Sequence, residues 1–233
     1  MKVVIAGGTS GIGLATAALL AKEGNEVFIT GRNEQKLQQA LATLPASARG
    51  QAVDSTDIPT LKTMMAATGS IDHLVLALSG GKGAGLFKDL DLAQLREGFE
   101  EKFFPQLQTL QAALPYIVAG GSITFISAVS GHARMPGIAG LAAINGALEV
   151  IVPILAKELQ PIRVNAVSPG IIDTPWWDFM PADRRRETFR QYAQSTPAGR
   201  IGQPEDIARM VALLIGNTFI TGQVMTVDGG LGL

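Results

Sequence analysis

Residues 7 to 13 read Gly7-Gly8-Thr9-Ser10-Gly11-Ile12-Gly13, directly after the apolar run Val3-Val4-Ile5-Ala6 and directly before an Ala- and Leu-rich stretch. A strand, a glycine turn and a helix N-terminus in that order make a dinucleotide site. Glycine lets the backbone turn sharply and approach a pyrophosphate, and the free amides and dipole of the helix favour the anion. A tight strand-to-helix turn also favours glycine for purely structural reasons, but its place in an alternating strand–helix pattern favours the nucleotide. About 20 residues past such a turn, an NAD site places a carboxylate on the ribose 2′-hydroxyl. Here the second strand ends Thr30-Gly31-Arg32-Asn33, with no acid until Glu34. A guanidinium forms charge-assisted pairs with a 2′-phosphate, so the expected cofactor is NADP(H). Its expected contacts are Gly7, Thr9, Ser10, Gly11, Ile12 and Gly13 at the turn, with Arg32 and Asn33 at the phosphate. A solvated surface arginine is the plainer reading of Arg32.

The spacing is G-x-x-x-G-x-G, and with it the sequence resembles the short-chain dehydrogenase/reductase family along its whole length. That family's T-G-x-x-x-G-x-G corresponds to Ala6-Gly7-Gly8-Thr9-Ser10-Gly11-Ile12-Gly13. Its aspartate after the third strand corresponds to Asp54, beside Ser55, where the family touches adenine. Its P-G-x-x-x-T corresponds to Pro169-Gly170-Ile171-Ile172-Asp173-Thr174, which in the family holds the nicotinamide carboxamide. Leu155-Ala156-Lys157-Glu158-Leu159, Ile162-Arg163-Val164-Asn165 and Val227-Asp228-Gly229-Gly230 are further matches. The resemblance implies a Rossmann-type doubly wound parallel sheet of about seven strands with helices on both faces. It adds Asp54, Ser55, Leu78, Pro169, Gly170, Ile172 and Thr174 to the expected cofactor contacts, and implies a homodimer or homotetramer built on the long helix and the one from Leu141.

The family's catalytic pattern does not carry over. It uses a serine after the fifth strand, Y-x-x-x-K on the next helix and an asparagine on the long helix. There tyrosine exchanges the proton with the substrate oxygen, and lysine lowers its pKa. Counting back ten residues from Leu155 without a gap puts the lysine position at Asn145 and the tyrosine position at Leu141. The serine column falls on Ala128, flanked by Ser127 and Ser130, and Lys102 stands at the asparagine position. Leu76-Ala77-Leu78-Ser79-Gly80-Gly81 replaces the family's N-N-A-G. The only tyrosines are Tyr116 and Tyr192, and neither has a lysine four residues later. Lysine and asparagine thus stand exchanged between the two helices. The swap suggests that Lys102 reaches the nicotinamide ribose or the substrate oxygen, with Asn145 accepting from it directly or through water. Ser127 is then the nearest hydroxyl that could orient the substrate oxygen. An exposed helix lysine beside a relic asparagine is the alternative.

The elements that must position these residues follow from short β-branched runs alternating with longer helical patterns. Strands are expected at Val3 to Ala6, Glu26 to Thr30, Gln51 to Val53, His73 to Leu78, Ser122 to Ser127, Ile162 to Val167 and Val224 to Val227. Helices are expected at Gly11 to Glu23, Glu34 to Leu44, Ile58 to Ala67, Leu92 to Val118, Leu141 to Leu159 and Pro204 to Leu214. Such alternation implies βαβ units and a parallel sheet. Pro153 should kink the helix from Leu141. The irregular stretch 173–202 is long enough to be a substrate lid within a single domain spanning 1–233, with room for a helix near Asp183 to Gln194.

Composition narrows the function classes. Lys plus Arg number 19 against 20 Asp plus Glu, which argues against a nucleic-acid partner. No cysteine and two histidines leave neither disulfide, thiolate nor multi-histidine metal site. A strand-like run from Lys2 leaves no room for a signal peptide, and every apolar stretch of about 18 residues is broken by a charge, glycine or proline. The expectation is a cytoplasmic protein with a small-molecule substrate. Two main classes compete: an NADP(H)-dependent oxidoreductase for carbonyls or alcohols with a rewired site, and a catalytically quiet NADP(H)-binding protein acting as a sensor or structural partner. A lyase or isomerase is a third. His132 either donates to substrate or faces water, and His73 is structural. Trp176 and Trp177 either wall a pocket or anchor their loop. Arg184-Arg185-Arg186 is either a solvated helix face or an anion site.

Overall fold

Along Lys2–Ala6, the first strand (β1), Val3 and Ile5 face one side of the sheet and Val4 and Ala6 the other, all fully buried. The period of two explains why Val3 to Ala6 includes no polar residue: both faces of the strand are covered. The chain, described over residues 1–233 by a computed structural model, adds six more strands. These are β2 (Glu26–Gly31), β3 (Arg49–Ala52), β4 (Ile71–Leu76), β5 (Ile117–Ile126), β6 (Arg163–Pro169) and β7 (Val224–Val227). All pairings are parallel, in the order β3-β2-β1-β4-β5-β6-β7. The order reverses between β1 and β4, and a ligand crevice is expected outside the carboxyl ends of those strands.

Helices α1 (Gly11–Lys22), α2 (Glu34–Thr43) and α8 (Pro204–Gly216) cover one face, with Leu20, Leu37, Ile207 and Val211 packed on Val3, Ile5, Val27 and Ile29. Helices α3 (Ile58–Thr68), α5 (Phe104–Ala113) and α6 (Ala139–Glu158) cover the other. There Leu61, Met65, Leu110, Leu148 and Val152 meet Val4, Leu74, Ile123 and Phe125. α6 is long and apolar enough by composition to cross a membrane, but it lies against β6 and carries Asn145 into the interior. Arg163 fixes the end of α8, donating to the carbonyls of Leu214 and Ile215 at 2.7 and 3.0 Å.

The largest departure from the sequence reading concerns the helix expected over Leu92 to Val118. It is broken into α4 (Leu92–Gly98), a π-helical turn at Phe99–Phe103, α5 and a 3₁₀ turn at Leu114–Tyr116. Pro105 is the cause. It has no N–H for the Glu101 carbonyl and its ring would collide with that carbonyl in an α-helix. The chain widens instead, and Phe104 N donates to Phe99 O five residues back. Pro115 then ends the helix early, so β5 begins at Ile117 rather than Ser122. Smaller shifts affect β4, which starts at Ile71 and ends at Leu76, and β6, which runs on to Pro169. α6 stays continuous through Pro153, without the N–H that would have met the Glu149 carbonyl.

Residues 173–202 leave the body beside Ile172 and return at Gly202. These two residues form a parallel bridge, and Asp173 N donates to Gly202 O at 3.0 Å. Between them lie a 3₁₀ turn (Pro175–Phe179) and α7 (Ala182–Ser195).

Candidate active site

At the crevice between β1 and β4 the glycine turn has no space for side chains. Gly7 has φ +81°, and a Cβ there would lie 2.6 Å from the Ala77 carbonyl oxygen. A Cβ on Gly13 would lie 2.1 Å from the Gly7 carbonyl oxygen. The turn is therefore pressed between β4 and the first turn of α1, and Gly7 N and Gly8 N both donate to Thr30 O at 3.0 Å. Ser10 caps α1 in extended conformation without using its side chain as a cap. The amides of Gly11, Ile12 and Gly13 have no intrahelical acceptor, so they face outward as an anion cradle. Thr9 packs its methyl against Gly31.

Around this turn, Arg32 is exposed, makes no ion pair, and lies near enough to Asp54 for its charge to help lower the Asp54 pKa. The main causes of that lowering are the hydrogen bonds from Thr56 N and Thr56 Oγ1, at 2.9 and 2.8 Å. Asn33 is committed locally: its side chain accepts from Lys36 N at 2.9 Å and caps α2. Ser55 is buried beneath the exposed Asp54. On the other side, Gly170 N donates to Val227 O, and Ile172 is buried at the base of the lid. Thr174 reaches the glycine turn itself, since a Cβ on Gly11 would lie 3.3 Å from its side chain. The buried Pro169 and the rest of that segment, 160 residues away in sequence, thus close on the phosphate loop. Leu78 presents its carbonyl to Gln106 Nε2 at 3.0 Å. These residues fit NADP(H): a cradle of unpartnered amides that added carbons would fill, and an unpaired guanidinium at the second strand's end.

The three expected catalytic residues also converge. The π-turn rotates Lys102 inward, where it is 8% exposed, and its Nζ donates to the Ser127 carbonyl at 3.0 Å. Burial pushes its pKa down to about 8, opposed by the nearby Glu149 carboxylate. Asn145 is buried on α6, donating through Nδ2 to Ser130 Oγ and the Leu141 carbonyl, both at 3.0 Å. Its Oδ1 is buried without a partner. No direct Lys102–Asn145 bond forms. Ser127 turns its hydroxyl into the protein, donating to Glu149 Oε1 at 2.8 Å.

Glu149 was not anticipated. It lies one helical turn past Asn145 on the same face of α6, a spacing that could have exposed it as a carboxylate on an otherwise buried stripe. His132 is 42% exposed and turns Nδ1 to Glu149 Oε2 at 3.3 Å. His73 is buried, with Nδ1 2.8 Å from Ser122 Oγ, and structural as expected. In the lid, Trp177 Nε1 donates to Ile172 O at 3.0 Å, and both tryptophans pack edge-on or stacked with Phe179. They anchor the loop. The arginine triplet is a solvated helix face, with Arg185 paired to Asp178 and Arg186 to Asp183.

Residues 6–232 match the family model described as enoyl-(acyl carrier protein) reductase. The 3-oxoacyl-[acyl-carrier-protein] reductase FabG of Thermotoga maritima is 32% identical over 246 residues, covering 98% of this chain and 96% of that protein. A small-chain dehydrogenase solved in complex with NADPH superposes with a TM-score of 0.86 at 31% identity, covering 99% of this chain and 98% of the other. A short-chain oxidoreductase of Pseudomonas aeruginosa PAO1, described as containing an atypical catalytic center, superposes at 0.90 with 25% identity, covering 99% and 96%.

Proposed function

The chain belongs to the short-chain dehydrogenase/reductase family of oxidoreductases, and from that premise we propose that it interconverts a small-molecule carbonyl and alcohol with NADP(H), using Lys102 in place of the tyrosine–lysine pair. The buried Lys102 ammonium, set beneath the end of β5, carries the reading. Unpaired Arg32 and the NADPH in the related structure support the phosphate-bearing cofactor. The atypical centre described for the Pseudomonas relative supports a family member working without the usual pattern.

The amides of Gly11 to Gly13 would hold the pyrophosphate, Arg32 the 2′-phosphate, Asp54 and Ser55 the adenine, and Pro169 to Thr174 the carboxamide end. Bound NADPH supplies the hydride. Lys102 holds a proton on Nζ and gives it to the carbonyl oxygen during reduction, or takes it back during oxidation. Its lowered pKa places both forms within reach near neutral pH. The Ser127 carbonyl fixes the direction of Nζ, and Asn145 Oδ1 accepts through water on the other side. Residues 173–202 close over the substrate. Exposed Phe104 on α5 and Val150 and Ile154 on α6 support a homodimer or homotetramer through those helices, and gel filtration showing monomer alone would overturn that assembly.

The test is NADPH consumption across aldehydes, ketones and quinones. Wild-type turnover is expected on at least one class. Lys102→Ala should reduce it on the order of 10²- to 10⁴-fold, and Lys102→Arg should not restore it. Wild-type protein that binds NADPH but consumes none across the panel would instead mark a catalytically quiet binder.

A further inference from the structure

Glu149 presents a problem that the proposed reaction leaves open. Its carboxylate is only 12% exposed, in the gap between the ends of β5 and β6. Ser127 Oγ donates to Oε1 at 2.8 Å and Ser168 Oγ donates to the same oxygen at 2.7 Å. The backbone of Gly131 closes over the carboxylate so tightly that a Cβ there would lie 2.9 to 3.0 Å from its atoms. Two hydroxyls satisfy lone pairs but cannot balance a charge. A buried carboxylate survives when a cation compensates it.

The compensating cation follows from Ser127, which is shared. Its hydroxyl points to Glu149, and its carbonyl receives Lys102 Nζ at 3.0 Å. One residue therefore separates the buried carboxylate from the buried ammonium. Other charged groups are placed differently. His132, from the turn after β5, meets the solvent side of Glu149 through Oε2. Beside Lys102 on its own turn, Glu101 faces outward to Gly81 N and Lys82, and Glu100 is exposed.

We propose that Glu149 is a positioning residue for Lys102: its charge, delivered across Ser127, holds the amine in the protonated form that reduction requires, and its hydrogen bonds to Ser127 and Ser168 fix the carbonyl that aims Nζ. The inference rests on the reading of Lys102 as the proton-carrying group. It assigns Glu149 no contact with substrate. The opposing influences already described for Lys102, burial downward and Glu149 upward, agree in sign with this role.

The test reads Lys102 directly. In protein labelled with ¹³C at lysine Cε, the Lys102 signal is assigned by its loss in Lys102→Met and followed with pH in the absence of cofactor. Glu149→Gln keeps an oxygen for both serines and removes only the charge. It should move the Lys102 midpoint down by about one pH unit or more and shift the alkaline limb of carbonyl reduction the same way. A midpoint within a few tenths of wild type would overturn the proposal. If Glu149→Gln folds poorly, urea unfolding of Glu149→Gln, Lys102→Met and the double variant decides. Strong non-additivity, with the double variant recovering stability over Glu149→Gln, is expected for a charge pair, and additive losses overturn it. A moved midpoint together with unchanged NADPH turnover in Lys102→Met would sustain the Glu149 coupling while removing Lys102 from catalysis, so the two readings fail separately.

Discussion

Trp176 Nε1 donates to the Gly80 carbonyl at 3.0 Å, joining the lid to the loop after β4 across 96 positions of sequence. The bond spans the mouth of the crevice between β1 and β4, where the phosphate loop also lies. Segment 173–202 is also held by the Ile172–Gly202 bridge, by Ala198 N donating to Gly229 O at 3.0 Å and by the Arg200–Asp206 ion pair, and internally by Trp177, Phe179 and Phe189. The Trp176–Gly80 hydrogen bond ties its start to the loop after β4.

Trp176→Phe keeps the ring and deletes only that donor. Losing about 1 kcal/mol from the closed state should raise the open population about fivefold. Trypsin reads this directly, because Arg184 and Arg186 lie exposed on α7 and Arg185 is half-buried beside them. Cleavage there should accelerate about fivefold in Trp176→Phe. Equal rates in the two proteins would mean that the Gly80 contact does not hold the lid.

The cofactor choice proposed for Arg32 runs through an exposed guanidinium, so its worth is limited by solvent screening. Arg32→Ala should weaken NADP(H) binding by about tenfold and leave NAD(H) binding nearly unchanged. Arg32→Glu should add a carboxylate for the ribose 2′-hydroxyl and invert the preference. Fluorescence titration of both reduced cofactors measures each ratio. An unchanged preference in both variants would place 2′-phosphate recognition elsewhere.

His73 links stability to acid. Desolvation pushes its pKa down to about 4, well below the ordinary imidazole value of 6.5. The fold therefore favours the neutral ring, and the unfolded chain binds the proton first. The contribution is complete above about pH 6.5 and is lost progressively as pH falls toward 4, up to about 3 kcal/mol. Urea unfolding at pH 7 and pH 5 should show this loss in the wild type and a flatter profile in His73→Gln. Parallel profiles would exclude His73 as the linked group.

Much of the cofactor half was legible because its signals are local. Gly7 and Gly13 are demanded by close backbone approaches, Gly11 by its positive φ, and the all-apolar Val3 to Ala6 by a strand covered on both faces. The catalytic half was less legible because it depends on two long-range effects. Apolar periodicity in α5 masked the break at Pro105, although a proline four residues after Glu101 forbids an ordinary α-turn there. That break is what turns Lys102 inward. Glu149 was overlooked because the sequence does not reveal that Ser127, Ser168 and Gly131 converge on it from three other segments. Asn33, expected at the phosphate, spends its side chain on capping α2, a local use that its place before Glu34 also allowed.

The exchange of lysine and asparagine between the two helices constrains the order in which such a site could change. On the proposed pairing, Lys102→Asn alone leaves the Glu149 carboxylate with only the exposed His132 beside it, whereas Asn145→Lys alone adds a second buried ammonium to an interior holding one carboxylate. Each single step crosses an arrangement with unbalanced buried charge. Passage between the two arrangements therefore needs paired changes, or a prior neutralisation at 149, and Leu141→Tyr becomes useful only after that. The substitutions are epistatic, and a lineage that has settled in one arrangement is held there by the charge count of its own interior.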